Sequence, residues 1–262
     1  MEPVKIEDAV QVKHTGKQFE IDARGVHYKD LNTLLREAVA NHATHITLQN
    51  VCGQRYLGTD LHSAVNIEIY GTPGNDLAAF MDGPRIVVRG NAQDGCGNTM
   101  NDGTLIIHGR AGDATGHSMR GGTIFIRDDV GYRVAIHMKE YQGKRPTIVI
   151  GGTAQHFLGE YMAGGVLVVL GLTLRPGSIH TADFIGTGMH GGVMYIRGEL
   201  NDHQLGAEVG RVPLSDADHQ LLQRLVGEYA AHFGRNAQAI LDEPFIKLVP
   251  LSLRPYGTLY AY

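Results

Sequence analysis

A few strings in this chain carry residue types that could do chemistry. Gly186-Thr187-Gly188-Met189-His190-Gly191 has the G-x-G-x-x-G spacing that lets a backbone approach a dinucleotide pyrophosphate. That use needs a strand before the glycines and a helix N-terminus after them. Here VMYIRG (193–198) follows, an alternating run that predicts a strand, so the string does not read as a nucleotide site. His108, His117, His137, His156, His180 and His190 fall in or near glycine-rich turns, and none forms H-x3-H or H-E-x2-H. They read as residues of an exposed polar face. Cys96, between Gly95 and Gly97, has the setting of an accessible nucleophile but no partner legible in the sequence, so it reads as a small buried hydrophobe. Cys52 and Cys96 are the two cysteines, too few and too far apart for a cluster site or a disulfide framework. Asp76, Asp94, Asp102 and Asp113 sit in turns, where short carboxylates commonly bond their own backbone. No catalytic, cofactor-binding or metal-ligating residue is assigned to this chain.

These strings all belong to a repeat that must position whatever the chain presents. NAQDGCGNTMNDGTLIIHG (91–109) is followed by RAGDATGHSMRGGTIFIRD (110–128), then GTAQHFLGEYMAGGVLVVLG (152–171) and TADFIGTGMHGGVMYIRG (181–198). The shared frame is A-x4-G-x2-M-x2-G followed by alternating apolar residues. Ala92, Ala111 and Ala154 hold the first position. Gly97, Gly116, Gly159 and Gly186 hold the second. Met100, Met119, Met138, Met162 and Met189 hold the third, and Gly103, Gly122, Gly165 and Gly192 the fourth. Gly71, Gly90, Gly109 and Asp128 follow one another at intervals of 19 residues. Longer intervals later come from insertions at 140–145 and 172–179, and the first of these is expected to loop outward. A fixed period with insertions confined to loops marks a solenoid whose units cannot bury their apolar faces alone.

Within each unit, pairs such as Leu105/Ile107 and Ile124/Ile126 alternate, so the regular part is a short strand. One strand and two glycine turns per unit describe an all-β fold, a single-stranded right-handed parallel β-helix of about seven coils. The glycines supply turns at positive φ. The methionines should form one inward column, with equivalents about 4.8 Å apart.

The flanks differ in kind, which suggests a cap over 1–50, the β-helix over 51–200 and a C-terminal helix with an apolar tail over 201–262. Tyr28–His42 has the i, i+3, i+4 apolar spacing of a helix, and HITLQNV (45–51) reads as a strand. SDADHQLLQRLVGEYAAHFG (215–234) begins on a capping-box-like Ser215/Asp218 pair and stops at Gly234. The tail after 242 is apolar enough to pack along the solenoid or on a partner. Hydrophobic residues at 43% can fill a core, and 35 glycines with 19% charged residues suit a turn-dense β protein. A net charge of −4 favours neither nucleic acid nor an anionic membrane as partner. No run reaches a membrane span, and the opening MEPVKIEDAV has no apolar signal core, so a soluble, cytoplasmic protein is expected.

The repeat, RYLGTDL…IYGTPGND (55–76) and GNAQDGCGNTMNDG (90–103) resemble the GXGXG β-helix family. Its best-known members are the C-terminal domain of the glutamate synthase large subunit and the β-helix subunit of formylmethanofuran dehydrogenase, with a related formyltransferase/hydrolase complex. IYGTPGND and the closing EPFIKLVP…RPYGTLYAY are more similar to stand-alone proteins like the third domain of glutamate synthase. The resemblance implies a right-handed β-helix without catalytic residues that buttresses glutaminase and FMN-binding synthase domains. There is no cysteine after Met1 to act as glutaminase nucleophile, no FMN barrel and no cysteine cluster for an iron–sulfur centre. FMN and the cluster are therefore expected on partner subunits, a glutaminase-type amidotransferase and an FMN-binding synthase chain. The leading expectation is a scaffold subunit of a glutamate-synthase-like complex making glutamate from glutamine and 2-oxoglutarate. The alternative is the corresponding β-helix subunit of a formylmethanofuran dehydrogenase or formyltransferase/hydrolase complex. An independent enzyme working along one β-helix face would need clustered carboxylates or bases, and the coils offer only scattered Asp, Arg and His.

Overall fold

The computed structural model describes residues 11–252. The opening MEPVKIEDAV and the end of the apolar tail lie outside the described residues. Strand β1 (Val12–Thr15) pairs with β2 (Gln18–Asp22), and helix α1 (Tyr28–Ala40) leads to β3 (His45–Cys52). The repeat supplies β4 (Asn66–Thr72), β5 (Asp82–Val88), β6 (Asp102–Ile107), β7 (Thr123–Ile126), β8 (Thr147–Ile150), β9 (Ala163–Val169) and β10 (Gly191–Arg197). After a 3-10 turn at Asp202–Gln204 come β11 (Val209–Val212), α2 (Asp216–Phe233), α3 (Ala237–Leu241) and β12 (Phe245–Pro250).

From β2 to β10 each strand lies parallel to the next, in chain order. This is a parallel β-helix. Seven repeat strands enclose six complete windings, so the solenoid makes about six turns, one fewer than the coil count expected from the repeat. The register places Ile67, Ile86, Leu105, Ile124, Ile148, Leu167 and Met194 in one column. Every member of that column is buried inside the coil.

The adjacent column points to the outer face and changes character along the stack. It runs Thr47, Glu68, Val87, Ile106, Phe125, Val149, Val168, Tyr195. The apolar members form a second core with Leu222, Leu225, Val226 and Tyr229 of α2. A sheet face turns apolar where an element covers it and stays polar where water does, and the column records where α2 lies.

Helix α1 closes the other end by burying Leu31, Leu34, Leu35 and Ala38 against the inner core. Both ends stop the parallel stack by reversing strand direction: β1 is antiparallel to β2, and β12 is antiparallel to both β10 and β11. A reversed strand cannot continue the slanted parallel ladder, so neither β2 nor β10 is left open as a template for another coil.

Candidate functional site

The repeat residues build the coil corners. Met81, Met100, Met119, Met138, Met162 and Met189 are all buried. The carbonyls of Met81, Met100, Met119, Met138 and Met162 each accept a hydrogen bond from the residue after the next coil's methionine, as from Arg120 to Met100 at 2.8 Å. The methionines therefore sit coil over coil. Gly103, Gly122, Gly165 and Gly192 all have positive φ, and the methyl of the preceding coil's methionine crowds the place a side chain would take. At Gly122, a Cβ would lie 2.6 Å from Met100 Cε and 2.7 Å from the Gly103 carbonyl oxygen.

The second-position glycines, Gly97, Gly116, Gly159 and Gly186, are the centres of a backbone pattern that residue types alone do not announce. Each coil tip passes through three left-handed residues spaced two apart. Examples are Asp76/Ala78/Phe80, Gly95/Gly97/Thr99, Arg133/Ala135/His137 and Phe157/Gly159/Tyr161. The N–H groups alternate in direction. Gly97 donates to Leu77 of the coil before, at 2.8 Å, while Gly95 and Thr99 donate to Asp113 and His117 of the coil after, at 2.8 Å. Each tip thus bonds both neighbours. The turns are not reserved for glycine as the sequence suggests, because the ladder holds Tyr56, Phe80, Phe157, Tyr161 and Phe184 left-handed. Such a conformation costs an L-residue about 1–2 kcal/mol.

The residues with chemical potential are spent on structure. Cys96 is fully buried, and burial pushes its thiol up to about 12, so it is neither a thiolate ligand nor a nucleophile near neutral pH. Asp94 and Asp113 do not bond their own turns. Their Oδ1 atoms accept the N–H groups of Asp113 and Tyr132 on the following coils, both at 2.9 Å. Asp76 accepts from the Asn98 side chain at 3.0 Å. Asp102 does bond locally, accepting from Gly103 N–H at 2.8 Å.

The histidines divide. His180 departs from the expected exposed face: it is buried, with Nε2 2.9 Å from the Arg197 carbonyl oxygen. Burial pushes its pKa below the ordinary value. His108 is lowered by burial and by Arg89, whose Nη1 lies 3.1 Å away. His117 is lowered by burial and by His137. His156 Nδ1 accepts from Asp183 N–H at 2.9 Å, and His190 Nδ1 is 3.1 Å from Gly188 O. Among the described residues, no group of three or more His, Cys, Asp and Glu side chains could hold a metal ion. Gly186–Gly191 forms a coil tip and leads into β10, not into a helix. The chain has two cysteines, fewer than the four ligands of a common iron–sulfur cluster, and the glycines of this string have no helix N-terminus behind them to receive a phosphate.

The buried ionic centre lies outside the coils. Ser215 caps α2, and Asp218 returns the capping box by accepting from Ser215 N–H at 2.7 Å. The same carboxylate accepts from Lys247 Nζ of β12 at 2.7 Å and from the Tyr195 hydroxyl of β10. Burial alone raises its pKa, but hydrogen bonds from Lys247, Tyr195 and Ser215 outweigh it and hold the carboxyl well below the usual range. This network fastens α2 and β12 to the last coil.

A stack of glycine-centred tips on a parallel β-helix defines the class of fold to which this chain belongs. The chain belongs to the GXGXG motif family, whose pattern matches residues 27–251. It is 45% identical over 252 residues to the uncharacterized protein MJ1350 of Methanocaldococcus jannaschii, covering 93% of this chain and 97% of that protein. It is also 25% identical over 260 residues to a ferredoxin-dependent glutamate synthase of Pyropia yezoensis. That match covers 92% of this chain but 16% of the synthase. No helix among the described residues is long and apolar enough to cross a membrane.

Proposed function

We propose that this chain is a non-catalytic β-helix scaffold subunit of a glutamate-synthase-like multi-subunit oxidoreductase complex in the cytoplasm. In that complex, the amide nitrogen of glutamine would pass to 2-oxoglutarate to make glutamate. The observation that carries the reading is the unequal coverage of the synthase match: nearly all of this chain corresponds to a small part of an enzyme. The remaining parts, a glutaminase-type amidotransferase and an FMN-binding synthase with its iron–sulfur cluster, would be separate chains. The commitment of Cys96, Asp94, Asp113 and His180 to internal bonds supports a role without turnover of its own.

The test is purification of the chain alone and together with co-expressed glutaminase-type and FMN-binding synthase chains from the same cell. Alone, it should show no glutaminase or synthase turnover and no flavin or iron absorbance. Together, the three should co-purify, and omission of this chain should lower glutamine-dependent glutamate formation. Turnover by the isolated chain, or its recovery with molybdopterin and formyltransferase chains instead, would overturn the reading.

A further inference from the structure

The outer face beneath the end of α2 holds a histidine in a cationic row. Arg89, His108 and Arg127 each follow the last residue of β5, β6 and β7, so they stand side by side at strand spacing. Arg89 Nη1 lies 3.1 Å from His108 Nε2. A guanidinium carries donors and no acceptor. Nε2 must therefore present its lone pair, and His108 is neutral, with its proton on Nδ1, while this contact lasts.

The helix reaches the same row through rings. Phe233 meets His108 edge-on at 5.1 Å, and His232 meets Phe125 of β7 in the same manner at 4.9 Å. Helix and sheet thus each supply one imidazole and one phenyl ring. One turn earlier, Tyr229 packs on Phe233 at 4.8 Å and donates its hydroxyl to the Arg127 carbonyl at 2.9 Å. The first turn of α2 is fastened separately, by Asp218 to Lys247 and Tyr195.

Charges around the two imidazoles are unequal. The sheet contributes Glu68, Arg85, Arg89, Arg127 and Asp128, and the helix end contributes Glu228 and Arg235. Each carboxylate is taken: Glu68 by Arg89 at 2.6 Å, Asp128 by Arg127 at 2.8 Å and Glu228 by Arg224 at 3.0 Å. Burial, then Arg89, Arg127 and His232, hold His108 below the ordinary histidine value, with Glu68 opposing. Burial, then Arg85, hold His232 below it, with Glu228 opposing. A helix C-terminus ordinarily favours a cationic histidine, so here burial and Arg85 act against the dipole.

We propose that the end of α2 is a proton-sensitive clasp, closed while His108 and His232 are neutral and released when they take up protons. A proton on Nε2 removes the acceptor that Arg89 uses and adds a third cation to the row. Release lifts Tyr229 and Phe233 from the sheet and uncovers the apolar outer face around Ile106 and Phe125. Both folded-state values lie below the ordinary 6.5, so closure is fully supported above pH 6.5 and weakens as pH falls below it. Asp218 stays ionised through that range, so the first turn remains attached. The clasp does not depend on which complex the chain serves.

Hydrogen exchange of the full chain, corrected for the intrinsic effect of pH, tests this at about pH 7.5 and about pH 5, on either side of the ordinary value. Protection of amides 229–234 relative to 216–222 should fall at least about threefold on acidification, a local opening within a folded chain. His108→Gln keeps an acceptor for Arg89 and takes no proton, so the double variant with His232→Gln should hold its protection at both pH values. Should the lost rings loosen that variant already at the higher pH, imidazole NMR decides. Both histidines of the parent should titrate below 6.5, and Arg89→Met should move His108 upward. Equal protection at both pH values in the parent would overturn the clasp, as would a rise on acidification, which would show the dipole in control. An acid loss that persists unchanged in the double variant, or a His108 midpoint indifferent to Arg89→Met, would overturn it too.

Discussion

Met100 places its terminal methyl where a side chain on Gly122 would stand, and the same pairing joins Met162 to Gly192. The repeat therefore balances volume across coils: a long flexible side chain below, an absent one above. Truncating Met119 to alanine opens a cavity at a fully buried site and should destabilise by roughly 2–5 kcal/mol. Asp113→Ala should lower stability by only about 0.5–1.5 kcal/mol, because its one bond to Tyr132 N–H is exposed. Equal losses in denaturant titrations would contradict the assigned column. Gly122→Val meets both a φ of 76° and atoms nearer than 3 Å, so it should cost more than about 1 kcal/mol. A melting temperature like that of the parent would refute the corner geometry. Glycine and methionine were legible at this scale because inward volume constrains residue type. The left-handed state of Phe157 or Arg133 was not, since the hydrogen bonds their N–H groups donate to the following coil go with it and residue type leaves no mark of it.

At the scale of elements, α1 and α2 could be placed from apolar spacing and from Ser215 with Asp218, which signal a helix start by local chemistry. What α2 covers could not. Continuous apolar runs such as Leu105-Ile106-Ile107 and Ile148-Val149-Ile150 mark strands covered on both faces, but only the assembled sheet shows the cover to be Leu225 and Tyr229. The Asp218 centre makes that docking pH-dependent. A carboxylate whose folded pKa is depressed contributes stability above its ordinary value of 3.8, and the contribution is lost as pH falls below that value. Asp218→Asn should destabilise by on the order of 3 kcal/mol at neutral pH, as for one partner removed from a buried pair. Its stability should then fall less steeply below pH 4 than the parent's, within the window set by the ordinary value. Parallel acid limbs of the two proteins in chemical denaturation would show that the network does not set this dependence.

At the scale of the molecule, the period of 19 residues was enough to infer a parallel β-helix, because stacking repeats along one axis leaves few alternatives. The antiparallel closures were hidden, since β12 joins β10 from far along the chain and no repeat announces it. The path of the insertion at 140–145 was also hidden. It does not simply loop outward but turns back at the Tyr141–Lys144 bridge and lies over Gly121.

That turn makes the rod sensitive to its own count. Lys144 requires an absent side chain one winding below, at Gly121, where a Cβ would stand 3.0 Å from its Cβ and Cδ. It then requires carboxylates two and three windings below, at Asp102 and Asp82, which it meets at 3.1 and 3.0 Å. These exposed pairs are worth at most about 1 kcal/mol, so they add little strength. They act instead as a tally: deleting or duplicating one winding beneath the turn would set Lys144 against the wrong rung. A solenoid can in principle be lengthened by any whole number of coils, but this one carries a mark that fixes how many windings lie between Asp82 and Lys144.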